Sequence, residues 1–305
     1  GNILLYGCEQ EIELNPGNPK PIPVINCILK AGDDSARVRV MWTKKVYDQE
    51  APFEPHASVK LYKEGNLVGK ASYRGNGWYI LAHKIESSVT YRVEAEIKEK
   101  KIVWGETRVP APILNAKIEY DTLQEKVINY WKDRVDEKNY YWLSHASSRN
   151  QEVMDTVQME LPSFIKTNST LPDPFNRSFD FDEEIPTGYD YYLRIEDSGL
   201  SGKEIELRYQ GKRLNYWGGR GSGYYKETHF ILSIDRHYDR YLKSSILNNN
   251  NLSDIDSEPL FYAPLWSYSN VHEGTGLVAS YSKFEDNVIL KLEKQENSTD
   301  FSLKP

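Results

Sequence analysis

From residue 24 onward, apolar positions come in short runs separated by turn residues, and most of the runs alternate with polar ones. Val24 to Leu29 is a nearly continuous apolar run. Between Ala36 and Thr43, Val38, Val40 and Trp42 alternate with Arg37, Arg39 and Met41. Ala57 to Tyr62 alternates again, and a turn at Gly65-Asn66 precedes Leu67-Val68. Gly75-Asn76-Gly77 leads into Trp78 to Leu81. Thr90 to Ile97 puts Tyr91, Val93, Ala95 and Ile97 on one face, and Ile102-Val103-Trp104 precedes Thr107. The period is two, so these are strands. About seven of them at a spacing of roughly ten residues predict an antiparallel sandwich. Pro110-Ala111-Pro112 reads as a domain boundary.

The second part also reads mostly as strand. Ala116 to Tyr120 and Lys126 to Trp131 are strand candidates, with a short helix over 121–131 as the alternative. The polar turn Lys132 to Asn139 leads to a strand at Tyr140 to His145. Val153 to Leu161 is a further candidate, and 162–188, with Pro162, Pro172, Pro174 and Pro186, reads as a long loop. Tyr189 to Glu196, Lys203 to Gln210 and Glu227 to Ile234 alternate well. Asp235 to Lys243 begins a helix, because Tyr238, Tyr241 and Leu242 fall at i, i+3 and i+4. Asn248 to Asn251 reads as a loop, and Tyr281 to Leu292 returns to strand. The expected fold is mainly β, with two antiparallel sandwich-like domains, the first immunoglobulin- or transthyretin-like. The expected division is an anchor and tether over 1–23, a first sandwich over 24–110, a second β domain over 111–295 and a polar tail over 296–305.

Composition agrees with two cores. The chain has 305 residues, 39% of them hydrophobic and 12% aromatic, which suits two domains or one large β domain and excludes wholesale disorder. Charge sums to −7, from 38 basic and 45 acidic residues, and argues against a broad nucleic-acid footprint. No apolar run approaches the ~20 residues of a membrane-spanning helix. Two cysteines cannot make a disulfide scaffold or a cysteine-rich metal site, and Cys27 reads as a small core residue. Cys8 is different. It follows the apolar segment Ile3 to Gly7, and Leu4 to Cys8 resembles a bacterial lipobox, with Leu5 and Gly7 fitting and Tyr6 bulkier than usual. In a lipobox the cysteine thiol takes a diacylglyceryl group, whose acyl chains supply membrane affinity at ~0.8 kcal/mol per buried CH₂. Glu9, Glu11 and Glu13 follow at once, and resemble the surface-export signal of Bacteroidota lipoproteins. The other reading is a strand from Leu4 with Cys8 a buried thiol. Residues 9–23, rich in Pro, Asn and Glu, suit a tether.

The order of these features is similar to a Bacteroidota lipoprotein family catalogued as domain of unknown function 4249. In the first domain the resemblance rests on Val24 to Leu29, Val38-Arg39-Val40, Ala57 to Tyr62, Gly77 to Leu81, Thr90 to Val93 and Thr107 to Pro110. In the second it rests on Tyr140-Tyr141-Trp142, Leu232 to Tyr241 and above all Tyr268 to Val278, which resembles the family's closing Asn-aliphatic-x-x-Gly-x-Gly run. Where a hydrophobic or aromatic residue often follows the second glycine's aliphatic pair, this chain has Val278-Ala279. The resemblance implies an outer-membrane lipoprotein, often encoded near TonB-dependent receptors, with no established activity and no defined catalytic residues.

Candidate chemistry is sparse. Gly218 to Gly223 lacks the Gly-Lys-Ser/Thr of a phosphate loop. Its flanks, Tyr216, Trp217, Tyr224 and Tyr225 together with Arg220, could stack on sugar rings or aromatic ligands, or else pack as ordinary strand residues. Asp180, Asp182, Glu183 and Glu184 offer hard oxygens but no EF-hand glycine. Asp235, His237 and Asp239 lie near Ser233, Ser244 and Ser245, without a Gly-x-Ser-x-Gly elbow. His272-Glu273 lacks the second histidine of a zinc helix, and His272 to Gly276 reads as a tight turn. Asp34-Ser35-Ala36, Asp121-Thr122-Leu123 and Asp155-Thr156-Val157 resemble O-glycosylation acceptors of this phylum, a pattern that chance supplies once or twice. The sequence therefore predicts a surface-exposed, outer-membrane, lipid-anchored protein without catalytic residues, metal or cofactor. It would bind a glycan or other nutrient ligand, or serve a TonB-dependent receptor, and would not bind nucleic acid. The alternatives are an extracellular polymer hydrolase and a structural or adhesive protein.

Overall fold

A computed structural model provides the architecture, and it describes residues 20–44, 50–98, 101–121, 126–149, 193–197, 200–210, 223–253, 267–294 and 301–304. The first stretch of strands is β1 (Pro23–Lys30), β2 (Ser35–Trp42), β3 (Ser58–Lys63), β4 (Asn66–Lys70), β5 (Ser72–Tyr73), β6 (Trp78–Ala82), β7 (Thr90–Glu96) and β8 (Ile102–Arg108). Then follow β9 (Leu114–Asp121), β10 (Lys126–Lys132), β11 (Tyr140–Arg149), β12 (Leu193–Glu196), β13 (Glu204–Gln210), β14 (Gly223–Ile234), helix α1 (Arg236–Ser253), β15 (Thr275–Lys294) and β16 (Phe301–Lys304). The protein is mainly β, as the alternation predicts.

One nine-stranded sheet runs through the molecule in the order β12-β11-β14-β15-β1-β2-β6-β5, with β16 also on β15. A four-stranded sheet, β4-β3-β7-β8, and a three-stranded sheet, β13-β10-β9, complete the fold. Among the described residues, β1 on β15 is the parallel pairing (Val24↔Thr275 to Lys30↔Tyr281), and the others are antiparallel. The four-stranded sheet packs on the β1-β2-β6 end of the large sheet around Ile25, Val38, Val59, Tyr79, Tyr91, Val93 and Val103. Cys27 lies in this core, where burial pushes its thiol up to about 12. The three-stranded sheet packs on the β11-β14 end around Ile118, Trp131, Tyr141, Leu143, Leu207 and Ile231. Each of these fully buried large side chains contributes about 1.5–3 kcal/mol of hydrophobic transfer.

β15 joins the two cores. Side chains alternate across a strand, so Val278, Ser280, Ser282 and Phe284 share one face. Val278 belongs to the first core and Phe284 packs on the second. Between them Ser280 Oγ donates to the Arg108 carbonyl at 3.1 Å and Ser282 Oγ to the Pro110 carbonyl at 2.5 Å. The two hydroxyls pin the chain to the sheet as it passes from one sandwich to the other. α1 covers the reverse face, where Tyr238 meets Tyr281.

Two segments differ from expectation, and a third decides between the two readings it was given. Asn248 to Asn251 lies inside α1 rather than in a loop. Asparagine disfavours helix by only a fraction of a kcal/mol per residue, and an established helix propagates at little cost. Residues 126–132 form β10, paired with β9 (Ile118↔Asn129), and not the alternative helix. Within the expected polar tail, Phe301 to Lys304 adds a strand to β15.

Gly276 sits where β15 meets β1. Its φ is +115°, and a Cβ there would lie 2.1 Å from the Ile25 carbonyl oxygen. Gly276→Ala should therefore destabilise the protein by at least about 3 kcal/mol, read as a lowered midpoint in urea unfolding. A midpoint within error of wild type would show that β1 and β15 are not packed this closely.

Candidate functional site

The seam between the sandwiches is polar and tightly bonded. Asp235 ends β14 and caps α1, accepting from the Tyr238 backbone N–H at 2.7 Å. Its other carboxylate oxygen accepts from the Thr107 hydroxyl on β8, and Thr107 Oγ1 lies 2.6 Å from Ser280 Oγ. The Asp235 N–H donates to the Ser280 carbonyl at 3.0 Å. A single carboxylate thus joins β8, β15 and the helix. Burial pushes its pKa up to about 6, although hydrogen bonds from Thr107 and from backbone N–H groups pull the other way.

His237, in the first turn of α1, is half-buried. Its Nδ1 lies 2.7 Å from the Tyr268 hydroxyl, and the two rings stack at 6.0 Å. Burial, reinforced by Arg236 and Arg240, brings its pKa down to about 4. Arg240 lies over the Tyr268 ring, with its guanidinium carbon 5.7 Å from the centroid.

Asp235, His237 and Tyr268 form one wall of an open cleft of about 820 Å³. Glu106 and Arg108 line it from the outward face of β8, Arg236 and His237 from α1, and Tyr268 and His272 from the segment before β15. Trp104 also lines it, but neither face of its indole is open. The Arg92 guanidinium lies 4.0 Å from the ring centroid, and the His272 ring is stacked at 3.9 Å and 14°. Two groups that close to one ring must take opposite faces. The stack is therefore Arg92, Trp104, His272, with the exposed imidazole outermost.

The segment that carries His272 is held by backbone and side-chain bonds. His272 N–H donates to the Trp104 carbonyl at 2.8 Å. The Asn270 side chain donates to the Glu106 and Val278 carbonyls at 3.0 and 2.7 Å and accepts from the Val278 N–H at 2.9 Å. It clamps β8 against β15. Gly274 lets the turn approach β1, since a Cβ there would lie 2.6 Å from the Pro23 carbonyl oxygen.

The sequence-predicted sites fall elsewhere. Cys8, Glu9 and Glu11 lie outside the described residues, as do Tyr216, Trp217, Arg220 and the acidic cluster Asp180 to Glu184. Tyr224 and Tyr225 lie in β14, opposite Lys291 and Leu290. The Asp235-His237-Asp239 group is divided among structural duties. Asp239 is buried and accepts a two-pronged bond from Arg194, at 2.6 and 3.0 Å, and a third bond from Trp142 Nε1 at 3.0 Å. Losing one partner of such a buried pair costs roughly 3–5 kcal/mol. Ser244 accepts from the Tyr268 N–H, and Ser233 from Arg134. Among the described residues no three His, Cys, Asp or Glu side chains gather as a metal site.

The model for the family described as "Domain of unknown function (DUF4249)" matches residues 9–287. The chain belongs to this family. In this DUF4249 protein the closing Asn-aliphatic-x-x-Gly-x-Gly run is Asn270, Val271, Gly274 and Gly276. These are the clamp and close-approach residues of the β1-β15 junction. No functionally curated protein matches the chain. Among solved structures it is similar to a "putative carbohydrate binding protein" from Bacteroides uniformis, at 11% identity and a TM-score of 0.23, covering 70% of this chain and 89% of that one. It is also similar to a "putative membrane anchored protein" from Corynebacterium diphtheriae, at 8% identity and a TM-score of 0.23, covering 71% of this chain and 55% of that one. A third likeness, at 9% identity and a TM-score of 0.22, is to the FN1-FN3 domains of chicken CNTN1, with 69% and 60% covered.

Asp235 and His237 couple the seam to pH with opposite signs. The Asp235 carboxyl stands at about 6 against an ordinary 3.8, so its contribution is present at low pH and is lost as pH rises through 6. His237 stands at about 4 against 6.5, so its contribution is present above 6.5 and is lost as pH falls toward 4. The Asp235 contribution is on the order of 3 kcal/mol, and that of the half-buried His237 is smaller because solvent screens it. The two slopes oppose each other between about pH 4 and 6. Asp235→Asn, which keeps a capping side chain, should be more stable than wild type at pH 7 and lose stability on acidification. His237→Gln should gain stability over the same range. Thermal melts across pH 4–7 that show the same slope in both variants would refute this assignment.

Proposed function

We propose that this is a non-enzymatic, lipid-anchored surface protein that captures a ligand in the seam cleft and presents it to a transporter partner. The observation that carries the reading is the cleft itself. It is open, it is walled by elements of both sandwiches, and it is lined by exposed Glu106, Arg108, Arg236 and His272. Three of the groups around it that could do acid–base work are bound into the fold. Asp235 caps α1, Glu137 pairs with Arg134 at 2.7 Å, and His237 bonds Tyr268. A cleft that is open and polar, with Asp235, Glu137 and His237 already committed and exposed charged groups along its walls, suits holding a ligand better than cleaving one.

The anchor is Cys8 and the export signal Glu9 and Glu11. No helix among the described residues is long and apolar enough to cross a membrane, and acyl chains would provide the attachment. The ligand class is a soluble glycan or comparable polar nutrient, and the partner is a TonB-dependent receptor.

Three measurements test the reading. Labelled fatty acid should be incorporated by wild type and not by Cys8→Ser, which should also leave the membrane fraction. A glycan at a hundred times its Kd should stabilise the protein by about 2.7 kcal/mol. Arg236→Ala with His272→Ala should weaken that glycan by tenfold or more, about 1.4 kcal/mol. A broad glycan panel with no thermal shift, or turnover of any member, would sink the binding reading. Affinity capture from native outer membrane that recovers no receptor would remove the partner.

A further inference from the structure

The inner face of β10 and of the residue that follows it is polar at three successive inward positions. Asn129, Trp131 and Asp133 follow one another at i, i+2 and i+4, and all three are fully buried. The flanking strands put apolar residues beside the first two. Asn129 is flanked by Ile118 on β9 and Leu207 on β13, and Trp131 by Ile205. Tyr141, Leu143 and Ile231 close the core from the large sheet.

Along this row four polar side-chain atoms have no hydrogen-bond partner among the described residues: Asn129 Oδ1, Asn129 Nδ2, Trp131 Nε1 and Asp133 Oδ2. The other Asp133 oxygen is engaged, accepting from the Tyr141 hydroxyl at 2.8 Å and from Asn139 Nδ2 at 3.2 Å. The next inward residue along β10, Val127, is apolar, so the polar row ends at Asn129. At about 6.6–7 Å per two residues of strand, the row is roughly 13 Å long. Native proteins rarely leave one such atom unpaired, and four on one face need an occupant.

The donor and acceptor pattern selects its chemistry. Asn129 Oδ1 and Asp133 Oδ2 need a donor, while Asn129 Nδ2 and Trp131 Nε1 need an acceptor. A fully ionised anion such as sulfate or a carboxylate only accepts, and has nothing for the two oxygens. An ammonium group only donates, and has nothing for the two N–H groups. A hydroxyl does both. We propose that the second sandwich holds a hydroxyl-bearing guest along the inner face of β10. Its hydroxyls come either from a row of ordered waters or from one small polyol. Buried waters typically make about three such bonds each, and three polar residues in a row would seat a short chain of them. The site is separate from the seam cleft, and its fate does not depend on how that cleft is read.

The test uses the full chain as purified, labelled with ¹⁵N. Amide-edited NOE and exchange spectra should show the Trp131 indole N–H and the Asn129 side-chain amide in contact with water or with polyol CH–OH protons. Mass spectrometry of the small molecules released on denaturation separates the two sources. A released polyol identifies the guest as a polyol, whereas water contacts with no released polyol identify it as solvent. Asn129→Leu, close in shape but apolar, should lose these contacts along its part of the row and lower Tm by about 2–4 °C or more. Should the variant fail to fold, the wild-type spectra decide alone. Contacts to protein protons only, with no released polyol, would overturn the proposal. So would an Asn129→Leu variant that melts higher than wild type, because a dry orphan gains from apolar replacement.

Discussion

The parallel pairing of β1 with β15 is the constraint on which the rest of the structure depends. It brings residues more than two hundred positions apart into register and places the end of the described chain at the heart of its beginning. The first sandwich is therefore not closed by its own consecutive strands. Val278 supplies part of its core, and Gly276 and Gly274 allow the approach. Because β15 continues into the β14 ladder, the same strand is also a central element of the second sandwich. Contacts of such long sequence separation are slow to close, because loop entropy must be lost before the pairing offsets it.

At the seam, apolar packing gives way to hydrogen bonds. Thr107, Ser280, Ser282 and Asp235 replace the aliphatic residues found along the same strands on either side. Between two cores that each have their own packing, a few directional bonds fix orientation, while the cores supply the bulk of the free energy. The cost is a buried carboxylate, offset in part by its place at the head of a helix. The cleft follows from this arrangement. The outward face of β8 and the start of α1 both line it, and the segment from Tyr268 to Asn270 bonds to each.

Much of this was legible in the sequence, and the reason is local. Strands with one face buried alternate, so β2, β3, β7 and β8 could be read from Val38-Val40, Val59-Leu61, Tyr91-Val93-Ala95 and Val103. The first six residues of β15 could not. Leu277 to Ser280 is buried on both faces, is made partly of small residues and follows two glycines, so it reads as a turn's continuation. The bond from Thr107 to Asp235 spans 128 residues and has no signature in either neighbourhood. Asp235, His237 and Asp239 were visible as a cluster, yet their proximity in sequence said nothing about their duties. A carboxylate just before a helical pattern already reads as a cap, and that was the available signal. His272 carried none, because its role depends on Trp104 arriving from another strand. The Asn-aliphatic-x-x-Gly-x-Gly run was noticed as a pattern, and only the fold gives it a mechanical meaning.

The position of β1 has a consequence for load. It is the first described strand after the N-terminal segment, and it is held between β2 and β15 on its two sides. Tension entering from that end runs along the strand axis. It meets the β15 ladder in shear, with the hydrogen bonds strained together and not peeled apart one at a time. A molecule tugged by flow or by a neighbour at that end would thus resist at its most interior pairing, and the cleft above it would keep its shape until that pairing gave way.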